Sequence, residues 1–241
     1  MTSTESESRP FALAIETSQR AGSVALRLPD GAVIEQDFPC GSRERDELLP
    51  SIDGLLDRAG GNPADIGVVI VSVGPGSFTG LRIATSTAKA LALGVGCKIV
   101  ALPSAWAMAV GWSRVSGDTG PIVVASAAKG SDCWLTRLER EAGDWDETGA
   151  TGLHRVVPPD QVARSLCEGA ILLADEYIPR EFLESTRELV RGTGVPVPSA
   201  SACLEAGAEL ERRGRFVPPH ELGPLYPREP EAVSLWRARN G

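Results

Sequence analysis

The stretch from Ile66 to Val73 constrains the fold most, because it is an apolar and mostly β-branched run of the kind found in strands buried on both faces. A glycine-rich loop follows from Gly74 to Thr79, and an alanine-rich helix is predicted from about Phe78 to Val95. A short apolar run, Ile99 to Leu102, then returns as a strand. Strand, helix and strand in this order predict an α/β fold in which helices cover a buried sheet.

The segment before this unit adds three strands and a helix. Short apolar runs separated by turn residues predict strands at Phe11 to Thr17, Gly22 to Leu28 and Ala32 to Phe38. An amphipathic helix follows, because apolar residues recur there at spacings of three and four: Leu48, Leu49, Ile52, Leu55, Leu56 and Ala59. A further helix is predicted from Ser104, a residue suited to an N-cap, to about Val115.

The second half repeats this order of elements after a linker at Ser116 to Gly120. Its predicted strands are Ile122 to Ala125, Cys133 to Leu138, Leu153 to Val157 and Ile171 to Ala174, and its predicted helices are Pro159 to Cys167, Pro179 to Val190 and Ser201 to Arg213. Two βββαβα halves are typical of the architecture shared by actin, sugar kinases and heat-shock ATPases. We therefore expect a disordered tail at 1–10, one actin-like half at 11–117 and a second at 118–241.

Composition and charge narrow the class of protein. Hydrophobic residues make up 42% of the 241 residues, which is normal for a globular chain. The first residues are small, polar and acidic rather than basic and then apolar, and no apolar run is long enough to span a membrane, so we expect a cytoplasmic protein. The formal net charge of -8 gives no overall attraction to phosphate backbones, so we expect any contact with RNA to be indirect.

The cysteines and histidines predict neither a disulfide framework nor a metal site. The 5 cysteines, Cys40, Cys97, Cys133, Cys167 and Cys203, include no C-x-x-C pair and are expected to be small buried side chains. The 2 histidines, His154 and His220, lie far apart in sequence and outside any metal-binding spacing. We therefore expect no metal, no cofactor and no Ser-His-Asp triad.

The segment from Gly74 to Arg82 carries the most information about function. It follows a buried strand and opens a helix, a place where backbone N–H groups can bind an anion. It does not match a P-loop or the G-x-G-x-x-G dinucleotide fingerprint. The alternative is a tight strand-to-helix turn packed under Phe78, which the residues alone favour. A nucleotide or anion site would be built from Glu16, Thr17, Ser18, Gly74, Gly76 and Ser77, with Glu16 where kinases of this architecture hold a metal.

The same segment resembles the hallmark of the TsaB family. The resemblance extends over about Phe11 to Trp106 and includes Ile15-Glu16-Thr17-Ser18, Glu47-Leu48-Leu49-Pro50 and the run from Gly74 to Arg82. A second short match lies at Leu225-Tyr226-Pro227-Arg228. The resemblance as a whole implies an actin-like fold and a subunit that pairs with a TsaD-like transferase and a TsaE-like ATPase to form threonylcarbamoyladenosine in tRNA. It also implies that the first two helices form the partner interface.

The predicted partner interface combines residues of both helices. Small side chains around the second helix would let it pack between its own sheet and a partner. The residues we assign to the interface are Leu48, Leu49, Ile52, Leu55, Leu56, Phe78, Leu81, Arg82, Thr85, Ala88, Lys89 and Leu91. Replacing Leu81 or Ala88 with Glu is therefore expected to break association, because an unpaired charge would be buried there.

Three functions remain open from the sequence. The first is a non-catalytic partner subunit of the tRNA-modifying complex. The second is a stand-alone enzyme of the actin fold, either an ATP-dependent kinase or a carbamoyl transferase or glycoprotease; the lack of an H-x-x-x-H pair argues against metal-assisted chemistry. The third is a homodimeric scaffold that uses the same two-helix surface.

Overall fold

A computed structural model gives the architecture of the chain and describes residues 11–39, 47–128, 132–141, 144–147, 152–155, 160–226 and 236. The predicted tail at 1–10, Cys40 and the match at Pro227-Arg228 lie outside these residues. The described chain divides into two compact units. The first unit contains the residues up to Gly117 together with Val197–Pro224, and the second contains Asp118–Pro196 and the residues from Leu225.

The first unit is built on a five-stranded sheet with the order β3-β2-β1-β4-β5. Its strands are β1 (Phe11–Glu16), β2 (Ala21–Arg27), β3 (Val33–Pro39), β4 (Ile66–Ser72) and β5 (Lys98–Leu102). The pairs β1–β2 and β2–β3 are antiparallel, and the pairs β1–β4 and β4–β5 are parallel. The meander and the buried β-branched strand predicted from the sequence are therefore confirmed.

Two helices cover one face of this sheet. They are α1 (Leu48–Ala59), which contacts β2 and β3, and α2 (Phe78–Val95), which contacts β4 and β5. Each is followed by a C-cap glycine in the left-handed region, Gly60 after α1 and Gly96 after α2. Their apolar sides form one hydrophobic core with Leu13, Val69 and other alternate residues of the strands.

The opposite face of the sheet is covered by a helix from the far end of the chain. This helix is α6 (Ala200–Arg212), and it contacts β1, β2, β4, β5 and also α3 (Ser104–Ser116). A β-carbon at Gly207 would lie 2.6 Å from Cγ2 of Ile70, so only glycine lets α6 approach the sheet this closely. The sequence-based boundary at 118–241 is therefore wrong for Val197–Pro224, which completes the first unit.

The second unit repeats the sheet order of the first. Its strands are β6 (Ile122–Ala127), β7 (Asp132–Glu141), β8 (Asp144–Glu147), β9 (Gly152–Arg155), β10 (Ile171–Ala174) and β11 (Gly192–Gly194), and its helices are α4 (Gln161–Cys167) and α5 (Arg180–Thr186). The strands pair in the order β11-β10-β6-β7-β8, and β9 pairs with another part of β7. This duplicated topology confirms the predicted α/β actin-like fold with two βββαβα-type halves.

The third strand of the second unit comes in two segments. Residue pairs run from Glu141 with Asp144 to Leu138 with Glu147, and continue from Leu135 with Gly152 to Asp132 with Arg155. Segment β9 was predicted, whereas β8 was missed because three of its four residues are Asp or Glu, which have low strand propensity. Cross-strand pairing along β7 overrides that propensity here.

Candidate functional site

The glycine loop, Gly74 to Ser77, lies at the carboxyl edge of the first unit's sheet. In a parallel β-α-β arrangement the loop after a strand lies at the carboxyl edge of the sheet, the usual place for ligand sites in open α/β sheets. Strands β1, β4 and β5 end there at Glu16, Ser72 and Leu102. Gly74 adopts a φ of 111°, which favours glycine, and its carbonyl accepts a hydrogen bond from the Ser104 N–H at 2.9 Å.

The glycine loop packs directly on the turn between β1 and β2. The Ser77 N–H donates to the Ser18 carbonyl oxygen at 2.7 Å. A β-carbon at Gly76 would lie 2.3 Å from the Ser18 carbonyl oxygen, and one at Gly80 would lie 2.3 Å from the Thr17 carbonyl oxygen. These distances are too short for any side chain, so both glycines are required by close backbone approach. The sequence predicted a tight turn packed under Phe78. The structure has a tightly packed loop, but it packs against the β1–β2 turn, and Phe78 is exposed.

Glu16 belongs to a buried polar cluster that we define as Glu16, Ser18, Ser72, Ser104 and Cys203. The Ser18 N–H donates to Glu16 Oε1 at 2.6 Å, and the Cys203 thiol donates to Glu16 Oε2 at 3.4 Å. The hydroxyl oxygens of Ser72 and Ser104 are 2.6 Å apart. Five parts of the first unit therefore meet at this cluster: the end of β1, the β1–β2 turn, β4, α3 and α6.

Burial dominates the electrostatics of the cluster. It raises the pKa of the Glu16 carboxyl group, and hydrogen bonds from Ser18, Ser72 and Cys203 offset only part of that effect. Burial and the neighbouring Glu16 also raise the pKa of the Cys203 thiol well above its ordinary value. A raised carboxyl pKa favours the protonated acid, which is a poor ligand for a metal ion.

The six residues predicted for an anion or nucleotide site are thus brought together, and three of them, Glu16, Ser18 and Ser77, are hydrogen-bonded in series. Thr17 and Ser18 are buried, Ser18 uses its N–H on Glu16, and Ser77 uses its N–H on Ser18. The Ser77 hydroxyl accepts a hydrogen bond from the Gly80 N–H at 3.3 Å and so caps α2 from within the chain. This arrangement favours the structural role of the glycine loop. Within the part of the chain that the structure describes, no group of three His, Cys, Asp or Glu is placed to hold a metal ion.

The residues predicted for the partner interface separate into two groups. Most of them lie in the core beneath α1 and α2, with at most 3% of their surface exposed: Leu48, Ile52, Leu55, Leu56, Leu81, Thr85 and Ala88. A side chain without exposed surface cannot contact a partner, so their assignment to the interface is corrected. A charge introduced at Leu81 or Ala88 would disrupt the chain's own core, and such variants do not report on association.

Most of the remaining interface residues lie on what we call the two-helix face, the solvent-exposed side of α1 and α2. Leu49 and Phe78 each keep 55% of their surface exposed, and Arg82 and the partly buried Lys89 lie on the same side of α2 as Phe78. Leu91 instead packs against the hydrophobic core, so its assignment to the interface is corrected. The Arg82 guanidinium lies 3.9 Å from the centre of the Phe78 ring, a cation–π contact. Leu93 is 78% exposed and was missed, although its place beside Leu91 in an apolar helix end was a usable signal.

The two-helix face has one end at the carboxyl edge of the sheet. Both β3–α1–β4 and β4–α2–β5 connect parallel strands, because β3 and β4 each run parallel to β1. Helices in such crossovers begin at the carboxyl edge. Leu49 in the first turn of α1 and Phe78 in the first turn of α2 therefore lie at the same edge as the glycine loop.

Comparison with known proteins shows a similarity to TsaB proteins. The TsaB protein of Escherichia coli strain K12, named a tRNA threonylcarbamoyladenosine biosynthesis protein, is 28% identical over 89% of this chain and 93% of its own length. The protein of the same name from Bacillus subtilis strain 168 is 31% identical over 46% of this chain and 48% of its own length. Over most of its length the chain is thus similar to a protein named TsaB.

Two further comparisons agree with this similarity. A family model described as TsaD, tRNA N6-adenosine threonylcarbamoyltransferase, matches residues 42–151. The structure of YeaZ from Pseudomonas aeruginosa has the same fold, with a TM-score of 0.75 and 23% identity over 90% of this chain and 99% of that one. Among its described residues, the chain contains no helix long and apolar enough to cross a membrane.

Proposed function

We propose that this chain is the non-catalytic partner subunit of a complex that forms N6-threonylcarbamoyladenosine in tRNA. Relatives that bear the name of this biosynthesis support the pathway. The observation that carries the subunit role is the two-helix face, where Leu49, Phe78 and Leu93 each keep more than half of their surface exposed. Exposed large apolar side chains along the two helices that cover one face of the sheet favour a protein contact there.

The partner we propose is a TsaD-like transferase, with a TsaE-like ATPase in the same assembly. The α2 side of the two-helix face carries Arg82 and Lys89, and α2 contains no acidic residue. This side therefore suits a partner surface with an apolar centre and acidic groups around it. tRNA would be held by the partner, because the net charge of -8 does not attract a phosphate backbone. We place this function in the cytoplasm.

The buried polar cluster supports the absence of catalysis by this chain alone. Glu16, the residue that corresponds in position to the metal-binding acid of kinases, has 1% of its surface exposed. Its two carboxyl oxygens accept hydrogen bonds from the Ser18 N–H and the Cys203 thiol. This carboxyl group therefore has almost no surface open to a metal–nucleotide complex.

A transferase that acts alone is the second candidate, because the family model that matches residues 42–151 is named for the transferase activity. The test is co-purification of the chain with the TsaD-like protein of the same organism, followed by nucleoside analysis of tRNA with each protein alone and with both. The partner role predicts a stable complex and modified tRNA only when both are present. Modified tRNA from this chain alone would establish the transferase, and a chain that only pairs with itself would establish the homodimer.

A further inference from the structure

The buried polar cluster has a place in the fold that the partner role does not yet explain. Glu16 is a charged residue type in a fully covered position at the end of a central strand, and burying a carboxyl group without a cationic partner costs stability. Hydrogen bonds from Ser18 and Cys203 hold both of its oxygens. A buried group that lowers stability in this way is expected to have a role in positioning the neighbouring backbone.

A short series of contacts joins Glu16 to the start of α2. Glu16 accepts the Ser18 N–H at 2.6 Å, and the carbonyl of the same Ser18 accepts the Ser77 N–H at 2.7 Å. Ser77 is the N-cap of α2, and the next residue is Phe78. Each link is a hydrogen bond shorter than the usual N–H···O distance of about 2.9 Å. The position of the first exposed aromatic residue of the two-helix face thus depends on Glu16 through one turn.

Steric contacts make this series stiff. Gly76 and Gly80 lie so close to the β1–β2 turn that a β-carbon on either would overlap a backbone oxygen of that turn. A shift of the turn must therefore shift the glycine loop and the first turn of α2 with it. Cys203 of α6 and Ser72 of β4 also hydrogen-bond the Glu16 carboxyl group. Besides Glu16, the charges of Glu35 and Arg114 also act on the pKa of the Cys203 thiol, which Glu35 raises and Arg114 lowers.

We propose that Glu16 is a positioning residue for partner binding, which acts through Ser18 and Ser77 to hold the glycine loop and Phe78 in the conformation that the partner recognises. The inference rests on the proposed partner role. Without the carboxyl acceptor, the turn has no buried partner for the Ser18 N–H, and the loop populates other conformations. The apparent dissociation constant then rises in inverse proportion to the fraction of molecules in the binding conformation.

The test compares three full-length variants, Glu16→Ala, Glu16→Gln and Leu172→Ala, each measured for thermal unfolding and for affinity to the TsaD-like protein. Glu16→Ala removes the acceptor, and Glu16→Gln keeps a side-chain oxygen for the Ser18 N–H. Leu172 is a fully buried core residue of β10 in the second unit, so its truncation lowers stability without touching the loop. Titrations are run well below the lowest unfolding midpoint, where every variant is folded.

The expected result is a rise in the dissociation constant of about tenfold for Glu16→Ala, equivalent to a binding conformation populated one time in ten. We expect Glu16→Gln to restore affinity to within about twofold of wild type, because a neutral acceptor satisfies the same N–H. Leu172→Ala should bind like wild type despite its lower midpoint. If Glu16→Ala does not fold, Gly80→Ala takes its place, since its β-carbon forces the same turn and loop apart and the buried position cannot touch the partner.

Each contrary outcome overturns a defined part of this proposal. Equal affinities of wild type and Glu16→Ala, or equal losses for Glu16→Ala and Leu172→Ala, would show that Glu16 stabilises the fold without positioning the interface. A loss for Glu16→Gln as large as for Glu16→Ala would show that the negative charge, rather than the acceptor, matters. If the wild-type chain itself fails to bind the TsaD-like protein, the proposed function fails, and that result is seen before any variant is made.

Discussion

Replacing Phe78 with alanine is expected to weaken binding to the TsaD-like partner by about 10- to 100-fold. A phenylalanine side chain offers roughly 200 Å² for burial, and 55% of Phe78 remains exposed in the chain alone. About 110 Å² is therefore free for a partner, worth about 2.7 kcal/mol at roughly 25 cal/mol per Å² if fully covered. That energy corresponds to about 100-fold in affinity, and covering half of the area corresponds to about tenfold.

The variant suits this test because its own fold should be unaffected. Phe78 is the first residue of α2, where alanine is a good helix former, and surface substitutions usually change stability by about 0.5 kcal/mol or less. The matched control is Val115→Ala, which truncates an exposed apolar side chain on α3, the helix that packs against α6 on the other side of the sheet. Isothermal titration of both variants and the wild type gives the comparison. Unchanged affinity of a folded Phe78→Ala chain would refute the assignment of the two-helix face.

Three further predictions follow from burial. The pKa of Glu16 is raised in the folded chain, so between about pH 4.5 and that raised pKa the folded chain keeps a proton that the unfolded chain has lost. The free energy of unfolding of the wild type, relative to that of Glu16→Gln, should therefore fall as pH rises above about 4.5 and level off above the folded-state pKa. A difference in urea unfolding that does not change with pH would contradict this. Gly207→Ala should lower the free energy of unfolding by about 1–3 kcal/mol, because the new methyl group would overlap Ile70. If chemical denaturation gave the variant the same stability as the wild type, this would argue against the tight packing of α6. In a Cys40→Ser chain, a thiol reagent should label nothing until unfolding, and rapid labelling of the native chain would disprove the burial of the four remaining cysteines.

Local periodicity predicted most of the fold. The apolar spacing of α1 and the β-branched run of β4 predicted their boundaries to within a residue or two, because burial against one sheet imposes a simple pattern. The same pattern misled the interface assignment. Ile52 and Leu55 are buried against the sheet, whereas Leu49 is exposed and differs from them only in its direction around the helix. Apolar spacing identifies the face toward the core, so it cannot by itself identify a second face toward a partner.

The buried polar cluster was beyond the sequence for a different reason. Glu16 and Cys203 meet only because α6 returns to the first sheet, and no local signal predicts a contact between residues so far apart in the chain. The sequence marked the glycine loop as informative, but it did not show why glycine is required there. Gly76 and Gly80 are required by the backbone of the β1–β2 turn rather than by a bound anion, and that distinction needs the distances.

The return of α6 to the first sheet has a consequence for the order of events during synthesis. The strand β5 ends at Leu102 and α6 ends at Arg212, so one apolar face of the first sheet lacks its cover while about 110 further residues are made. At roughly 5–20 residues per second, this interval lasts on the order of 5–20 s. Ile70 and its neighbours on that face are then open to solvent and to other nascent chains. The growing polypeptide should therefore be a client of ribosome-associated chaperones until α6 leaves the exit tunnel.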